Sequence, residues 1–554
     1  MKFNRYLDLP GGPRSPWLLL VLCLAALALA GCGGGSGGSV ALGAGSRESI
    51  ASQTALGGRV VDNGGNPVPG ALVELLPGVV PRAKAGEPVA LSGAWQTQTD
   101  PNGDYFLSGF PPGFYELRVT APGQTPWLLA LELVSGIYLT QDVRFWTPLP
   151  GQGVAAFSSY ATDLVAGDVD DGFTDIFLSF EDGTVQKITE LPPGATGGNS
   201  SFPVLSDSQR FLVFQSMAQL VPEDQNASVD VYRFDRQTGV MTCLTAAVDF
   251  HFGYCDTGQT NPYTAGDGRF TVFEWNTGDS EDKRIFLHDA DSGLLAMISV
   301  GLGPDGLPNA CCKRPVISAD GRWVAFDSAA TNLVEGQDPT DENRNIFVYD
   351  RLTGTLTQAS WGPPGTSSTD CSQWASISAD GRFVAFRSNS DILLQPPPLV
   401  IPPNENIYVR DMLLGETQLV SRDSGGTPSW EPCYRPCLSG DGRIVAFSTG
   451  AALVAEDSNS NEDVYLRDLQ AGTTQLVSWN AGMNNGGNSH SSVPVVSFDG
   501  SHILFQSYST DLVAGGLATS VMQVYMRDLG SAVNYLLSHT PSMEPGNDAS
   551  YTRE

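Results

Sequence analysis

Basic side chains are scarce in this chain. Its 554 residues hold 30 Lys and Arg against 60 Asp and Glu, a formal charge of −30. That deficit excludes the broad basic surfaces on which nucleic-acid binding and docking to an anionic membrane depend. Histidine is scarcer still: His251, His288, His490, His502 and His539 are spread over separate segments. No Gly-x-Ser-x-Gly nucleophile elbow follows a strand-like run, so catalysis finds little support. Paired Cys-x-x-Cys spacing is missing too, Cys433-x-x-x-Cys437 standing alone, which argues against zinc. What is abundant is Gly (62) and Pro (37), among many short runs of Val, Ile, Phe and Tyr. This is the pattern of an all-β chain rich in turns, long enough for two or more domains.

Lys2, Arg5 and Arg14 precede an apolar run at residues 17–30 that is too short to span a membrane comfortably. Residues 1–31 therefore read as an export leader. They end in Leu29-Ala30-Gly31-Cys32, which resembles a bacterial lipobox. The resemblance implies cleavage before Cys32, a lipid on its thiol, and anchoring in the cell envelope. Gly33 favours the outer membrane, on a side the sequence leaves open. Residues 32–56, rich in Gly and Ser, form a flexible tether. An exported chain can keep disulfides, and Cys243, Cys255, Cys311, Cys312, Cys371, Cys433 and Cys437 are the candidates, with Cys243–Cys255 a local pair and the remaining connectivity open.

Residues 57–147 carry short strand-like runs between turn clusters. Tyr115, Leu117 and Val119 alternate with Glu116 and Arg118, so one face is expected to be buried. The stretches Gly58-Arg59-Val60-Val61-Asp62, Pro69-Gly70-Ala71, Thr99-Asp100-Pro101-Asn102-Gly103 and Gly113-Phe114-Tyr115-Glu116-Leu117 make this segment similar to the carboxypeptidase regulatory-like domain. The resemblance implies a small transthyretin-like β-sandwich serving as a spacer or binding module. No peptidase domain accompanies it, so no such activity is implied.

From residue 151 to 554 the chain repeats. Turns at Asp267-Gly268-Arg269, Asp320-Gly321-Arg322, Asp380-Gly381-Arg382, Asp441-Gly442-Arg443 and Asp499-Gly500-Ser501, with a degenerate copy at 206–210, recur in steps of 53 to 61 residues. Four strand signals per step are the signature of a β-propeller. In the copy around Asp320 they fall at residues 314–318, 323–326, 346–349 and 356–360. The first copy, at 153–159, lacks its first strand, and residues 549–554 match the start of one. The expected architecture is a seven-bladed β-propeller closed by the C-terminal strand, since closure removes both open edges; the alternative is an incomplete first blade with a free tail. Ile317-Ser318-Ala319-Asp320-Gly321-Arg322, Val324-Ala325-Phe326 and Asp463-Val464-Tyr465-Leu466-Arg467-Asp468 make these repeats similar to the TolB-like propeller repeats of bacterial envelope proteins. That resemblance concerns fold and names no function.

The turns are tight, so function is expected on the opposite face, where the long loops lie. Those loops are acidic. Asp168, Asp170, Asp171 and Asp175 are the candidate calcium ligands, although carboxylates that cap turns and solvate a surface explain the same residues. Trp361, Trp374, Trp430 and Trp479 fall near this face and are candidates for contacting a partner. The expected function is that of a lipid-anchored, monomeric, non-catalytic scaffold binding an envelope protein or glycan. The alternative is a propeller hydrolase or lyase that acts on polysaccharide with acidic residues in its channel.

Overall fold

The computed structural model describes residues 54–552, except 62–65, 78–94, 112, 122–126, 134–137, 141–142, 145–153, 169–171, 227, 247–259, 277–282, 338–342, 362–370, 391–392, 395–403 and 519. The described residues form strands, turns and loops, and no helix occurs among them. Cys32, Asp170, Asp171 and Cys255 lie outside them.

The first eight strands are β1 (Thr54–Val61), β2 (Leu72–Pro77), β3 (Trp95–Gln98), β4 (Asp104–Phe110), β5 (Gly113–Thr120), β6 (Trp127–Leu133), β7 (Tyr138–Thr140) and β8 (Val143–Arg144). They make two sheets: β4-β1-β7 with β8 also paired to β1, and β3-β2-β5-β6. Period-two alternation puts Val73 and Leu75 of β2 and Tyr115, Leu117 and Val119 of β5 into one core with Leu56, Val60, Tyr105 and Leu107. Trp95, Phe110 and Tyr115 meet at its edge with ring centroids 5.7–6.0 Å apart. Asp100 shapes the turn into β4 by accepting hydrogen bonds from the backbone of Asn102 and Asp104.

Residues 154–552 form seven four-stranded antiparallel sheets among the described residues. They are sheet I (154–187, completed by Ser550–Tyr551), II (200–243), III (263–297), IV (312–358), V (372–419), VI (433–476) and VII (491–536). Strands within a sheet are called a to d in chain order, and strand a of sheet I is Ser550–Tyr551.

Each sheet is built by the same few contacts. Strand b is apolar and buried on both faces; in VI all six of its residues, Ile444–Thr449, are buried. Its aromatic ring stacks on one from strand c in every sheet, from Phe157–Phe177 in I to Phe505–Tyr525 in VII, at 5.7–6.3 Å. Strands a and b are pinned by a hydroxyl pair, Ser200–Ser216 in II, Ser372–Ser388 in V and Ser491–Ser507 in VII. Ser550 and Ser159 make the same pair at 2.8 Å, so the C-terminal strand takes the register that strand a has elsewhere. Strands c and d are joined through Ser478 Oγ, which donates to Asp463 at 2.6 Å in VI; Ser360 to Asn345 and Ser421 to Asn406 repeat this in IV and V.

The Asp-Gly-Arg turn links a to b, and its arginine pairs with the aspartate that ends strand c: Arg210–Asp235, Arg269–Asp289, Arg322–Asp350, Arg382–Asp411 and Arg443–Asp468, all within 2.6–2.8 Å. Its glycine does more than turn the chain. At Gly381 φ is +74°, and a Cβ there would overlap the ring of Trp323 from the preceding sheet. The turn is therefore a contact between sheets as well as a hairpin.

Two outcomes follow. Gly381→Ala combines left-handed strain with a clash and should lower the unfolding free energy by about 3 kcal/mol. Gly354→Ala, at φ +71° with open space around it, should cost only about 1 kcal/mol; equal losses in urea titrations would refute the inter-sheet role. The second concerns Asp463, whose carboxyl burial pushes up to about 7 against the opposing hydrogen bonds from Ser478 and Asn459. Its folded value exceeds its unfolded one, so its contribution is present below about pH 4 and is lost as pH rises toward 7. Asp463→Asn, which installs the residue found at this place in IV and V, should flatten stability between pH 4 and 7 and leave the protein at least as stable at pH 8.

Candidate functional site

Strand a carries one residue too many for its partner. Register shifts fall between Ser201 and Val204, Lys313 and Val316, Gln373 and Ser376, Tyr434 and Cys437, and Ser492 and Val495. At each bulge a non-glycine residue takes left-handed φ: Phe202, Arg314, Trp374, Arg435 and Val493, at 50° to 61°. Asn261 does the same in III. Proline follows in every sheet from II to VII except V, where Ala375 replaces it, and proline discourages the right-handed helical conformation in the residue before it. The bulge is common to the repeat; only the side chain it presents varies.

Of these residues Asn261, Arg314, Trp374, Arg435 and Val493, but not the buried Phe202, line a cavity of about 260 Å³ to which all seven sheets contribute, Ala155 and Thr552 representing sheet I. Its wall is largely apolar, with Val204, Leu205, Val316, Val495, Val496 and Leu504. Asp207 lies at the turn end, its carboxyl pushed up to about 7 by burial and then by Asp267.

The other end, toward the long-loop face, is cationic and aromatic. Arg314 and Arg435, from the sheets before and after, both lie over the ring of Trp374, their guanidinium carbons 4.3 and 3.7 Å from its centroid. Arg314 also donates twice to Asp327, at 2.7 and 2.9 Å, and once to Gln373 at 3.0 Å. Asp327 accepts from Arg344 as well. Glu274 accepts from Asn261, Lys283 and the backbone of Arg314. Arg387 pairs with Glu405 at 3.0 Å, 5.5 Å from the Tyr434 ring. Asp327 and Gln373 thus fix the Arg314 guanidinium beside the Trp374 ring.

The four candidate tryptophans differ in their surroundings. Trp374 lines the cavity, Trp430 is 63% exposed in the loop before strand a of VI, and Trp361 and Trp479 are half-buried. Trp361 lies over Gly336, and Trp479 packs on the core between V and VI. Arg314 and Arg435 went unrecognised in the sequence, although each lies eight residues before a turn arginine, as Trp374 does.

The calcium expectation meets a resident cation. Lys187 Nζ lies 2.7 Å from Asp168 and 2.6 Å from Asp175, two of the four carboxylates expected to hold the metal, the other two lying outside the described residues. Related loop acids are also used internally: Asp224 accepts from the Tyr232 hydroxyl, and Asp457 from that of Tyr465. Among the described residues no group of three or more His, Cys, Asp or Glu could hold a metal.

The disulfide expectation meets unlinked thiols at the six described cysteines, while its local pair Cys243–Cys255 includes a residue outside them. Cys243, Cys312, Cys371 and Cys433 are free cysteines, and no disulfide joins any two of the described six. The reason is positional. Cys312 and Cys433 stand where II, V and VII have the pinning serine of strand a, and Cys312 Sγ donates to Ser328 at 3.3 Å. They are serine substitutes in separate sheets, and burial pushes the Cys312 thiol up to about 11, far from reactive. Cys437 instead accepts a hydrogen bond from the Val496 backbone of the next sheet, and Cys311 offers its carbonyl to Ser328.

Residues 55–145 match the carboxypeptidase regulatory-like domain. No relative is found among curated proteins. Among solved structures, TolB from Acinetobacter baumannii is 13% identical, over 66% of this chain and 76% of that one, with a TM-score of 0.34. An oligogalacturonate lyase from Vibrio parahaemolyticus is 14% identical, over 65% and 84%, with a TM-score of 0.40. Prolyl oligopeptidase B from Galerina marginata is 9% identical, over 72% and 52%, with a TM-score of 0.42. Likeness at this level concerns propeller-type folds alone.

Removing the Lys187 ammonium leaves two largely buried carboxylates facing each other. Lys187→Ala should cost about 3 kcal/mol of stability, and millimolar calcium should raise the melting temperature of the variant while leaving the parent unchanged. A parent stabilised by calcium would show that Lys187 does not close this place to metal.

Proposed function

We propose that this protein is a lipid-anchored component of a bacterial cell envelope whose repeat region binds a partner, an envelope protein or a glycan, at the centre of its long-loop face. In this reading residues 1–31 are removed, Cys32 carries the lipid, and the domain at 55–145 is a spacer. The seven sheets form a closed seven-bladed propeller. Its closure is supported by the Ser550–Ser159 pair and by Thr552, which donates its backbone N–H to Gln506 and its hydroxyl to the carbonyl of Val493, both in sheet VII.

One observation carries the binding reading: the Arg314–Trp374–Arg435 stack at the loop-side mouth of the cavity, in a chain of charge −30. Arginine and tryptophan are the residues that dominate recognition energetics when held rigidly. A polysaccharide hydrolase working through paired carboxylates would need two acids in the channel. Among the described residues lining the cavity, Asp207 is the single carboxylate, so the geometry favours binding over that chemistry.

The test is cross-linking on intact cells from a photoreactive residue at Trp430, which is exposed beside the mouth, in parallel with Cys32→Ser. One discrete adduct, reduced at least about tenfold by Trp374→Ala with Arg435→Ala, and release of the Cys32→Ser chain from the membrane fraction are expected. An adduct pattern untouched by the mouth substitutions, or a Cys32→Ser chain that stays membrane-bound, would overturn the corresponding half of the proposal.

A further inference from the structure

The charges around the mouth do not cancel. Strand a supplies Lys313, Arg314 and Arg435, and strand b supplies Arg387, Glu274 and Asp327. The groups bonded or adjacent to these are Lys283, Arg344, Glu405 and Glu462. The total is six cations against four carboxylates, an excess of two positive charges inside a protein that is otherwise strongly acidic. An excess of this sign, walled by low-dielectric protein, focuses an attractive field for anions at the cavity opening.

What lies behind the opening narrows the anion further. The cavity continues into Val204, Val316, Val495 and Leu504, which offer no hydrogen bonds and reward apolar surface. At its far end the carboxyl of Asp207, ionised only in part near neutral pH, opposes a second negative charge at that depth as pH rises above 7. A ligand that satisfies all three constraints has one anionic head, planar enough to lie on a stacked guanidinium, and an apolar body. A carboxylate meets the first requirement through paired N–H donors. We propose that the cavity is a binding site for a carboxylate carried on a compact apolar group, its head at Arg435 beside the Trp374 ring and its body against the valines. The inference goes beyond the binding of a macromolecular partner and needs neither the lipid anchor nor that partner. A free organic acid and a peptide C-terminus present the same chemistry.

The test uses the whole chain from residue 32 onward, with calorimetry and tryptophan fluorescence as readouts. N-acetyl-leucine should bind saturably and N-acetyl-leucinamide, its neutral counterpart, at least about tenfold more weakly. Affinity for the acid should fall as ionic strength rises, and again by about tenfold in Arg435→Gln. Should that variant fail to fold, Arg435→Lys and the contrast between acid and amide in the parent carry the decision. Equal binding of acid and amide, no binding of either, or displacement by inorganic phosphate at equal concentration would overturn the assignment. N-acetyl-Ala-Ala-Leu, as acid and as amide, separates the sources. Tighter binding of this acid than of N-acetyl-leucine indicates a chain terminus, and the reverse a free small acid; either order supports carboxylate recognition.

Discussion

A sheet that is apolar on both faces has no stable existence alone, and every sheet from 154 to 552 is of this kind. Each must be covered by its neighbours. The covering is most demanding at the turn glycine, where the aromatic that begins strand b of one sheet rests on the backbone of the next: Phe211 on Gly268, Phe270 on Gly321, Trp323 on Gly381, Phe383 on Gly442. The arginine of the same turn holds strand c through its aspartate and lies over the aromatic that follows it, at 4.4–4.8 Å in II to V. One tripeptide therefore closes a hairpin, ties two strands and receives the adjoining sheet. This is why it recurs with so little change.

The same constraint explains what could be read from the sequence. Residues that repeat at fixed spacing, such as Asp-Gly-Arg and Val-Ala-Phe, answer to packing, and they led correctly to four-stranded sheets. The strands expected around Asp320 lie where the sheet has them, within one or two residues. The burial of Tyr115, Leu117 and Val119 was legible for the same reason, because period two is a local signal. What misled was chemistry read from residue type without its place in the repeat. Cys312 and Cys433 suggest bonding partners by kind, yet by position they replace a serine. Asp168 and Asp175 suggest a metal by kind, but the lysine that neutralises them is one strand away, beyond any loop-local pattern. Arg314 and Arg435 were hidden by a bulge, which cannot be seen in an alternating pattern. Comparing the eighth residue before each turn would have exposed them: Phe, Asn, Arg, Trp, Arg, Val.

Architecture and recognition are thus separated within a single strand. The bulge and its proline are paid for by the repeat, at a cost of about 1 kcal/mol for each left-handed residue, and what they present is free to differ. Sheets IV to VI present charge and an indole, whereas II and VII present a phenyl and an isopropyl group. The asymmetry of the mouth follows from three positions, without any change to the sheets that carry them.

The pairing of Ser550 with Ser159 spans 391 residues. During synthesis sheet I can reach only three strands until residue 550 has been made, by which time the other six sheets have all their strands. Its exposed edge stays open longest, and joining the two segments carries the largest loop-closure entropy in the repeat region. Residues 550 and 551 therefore decide whether a sheet begun some four hundred residues earlier is finished, and synthesis that stalls just short of them leaves the edge of sheet I exposed.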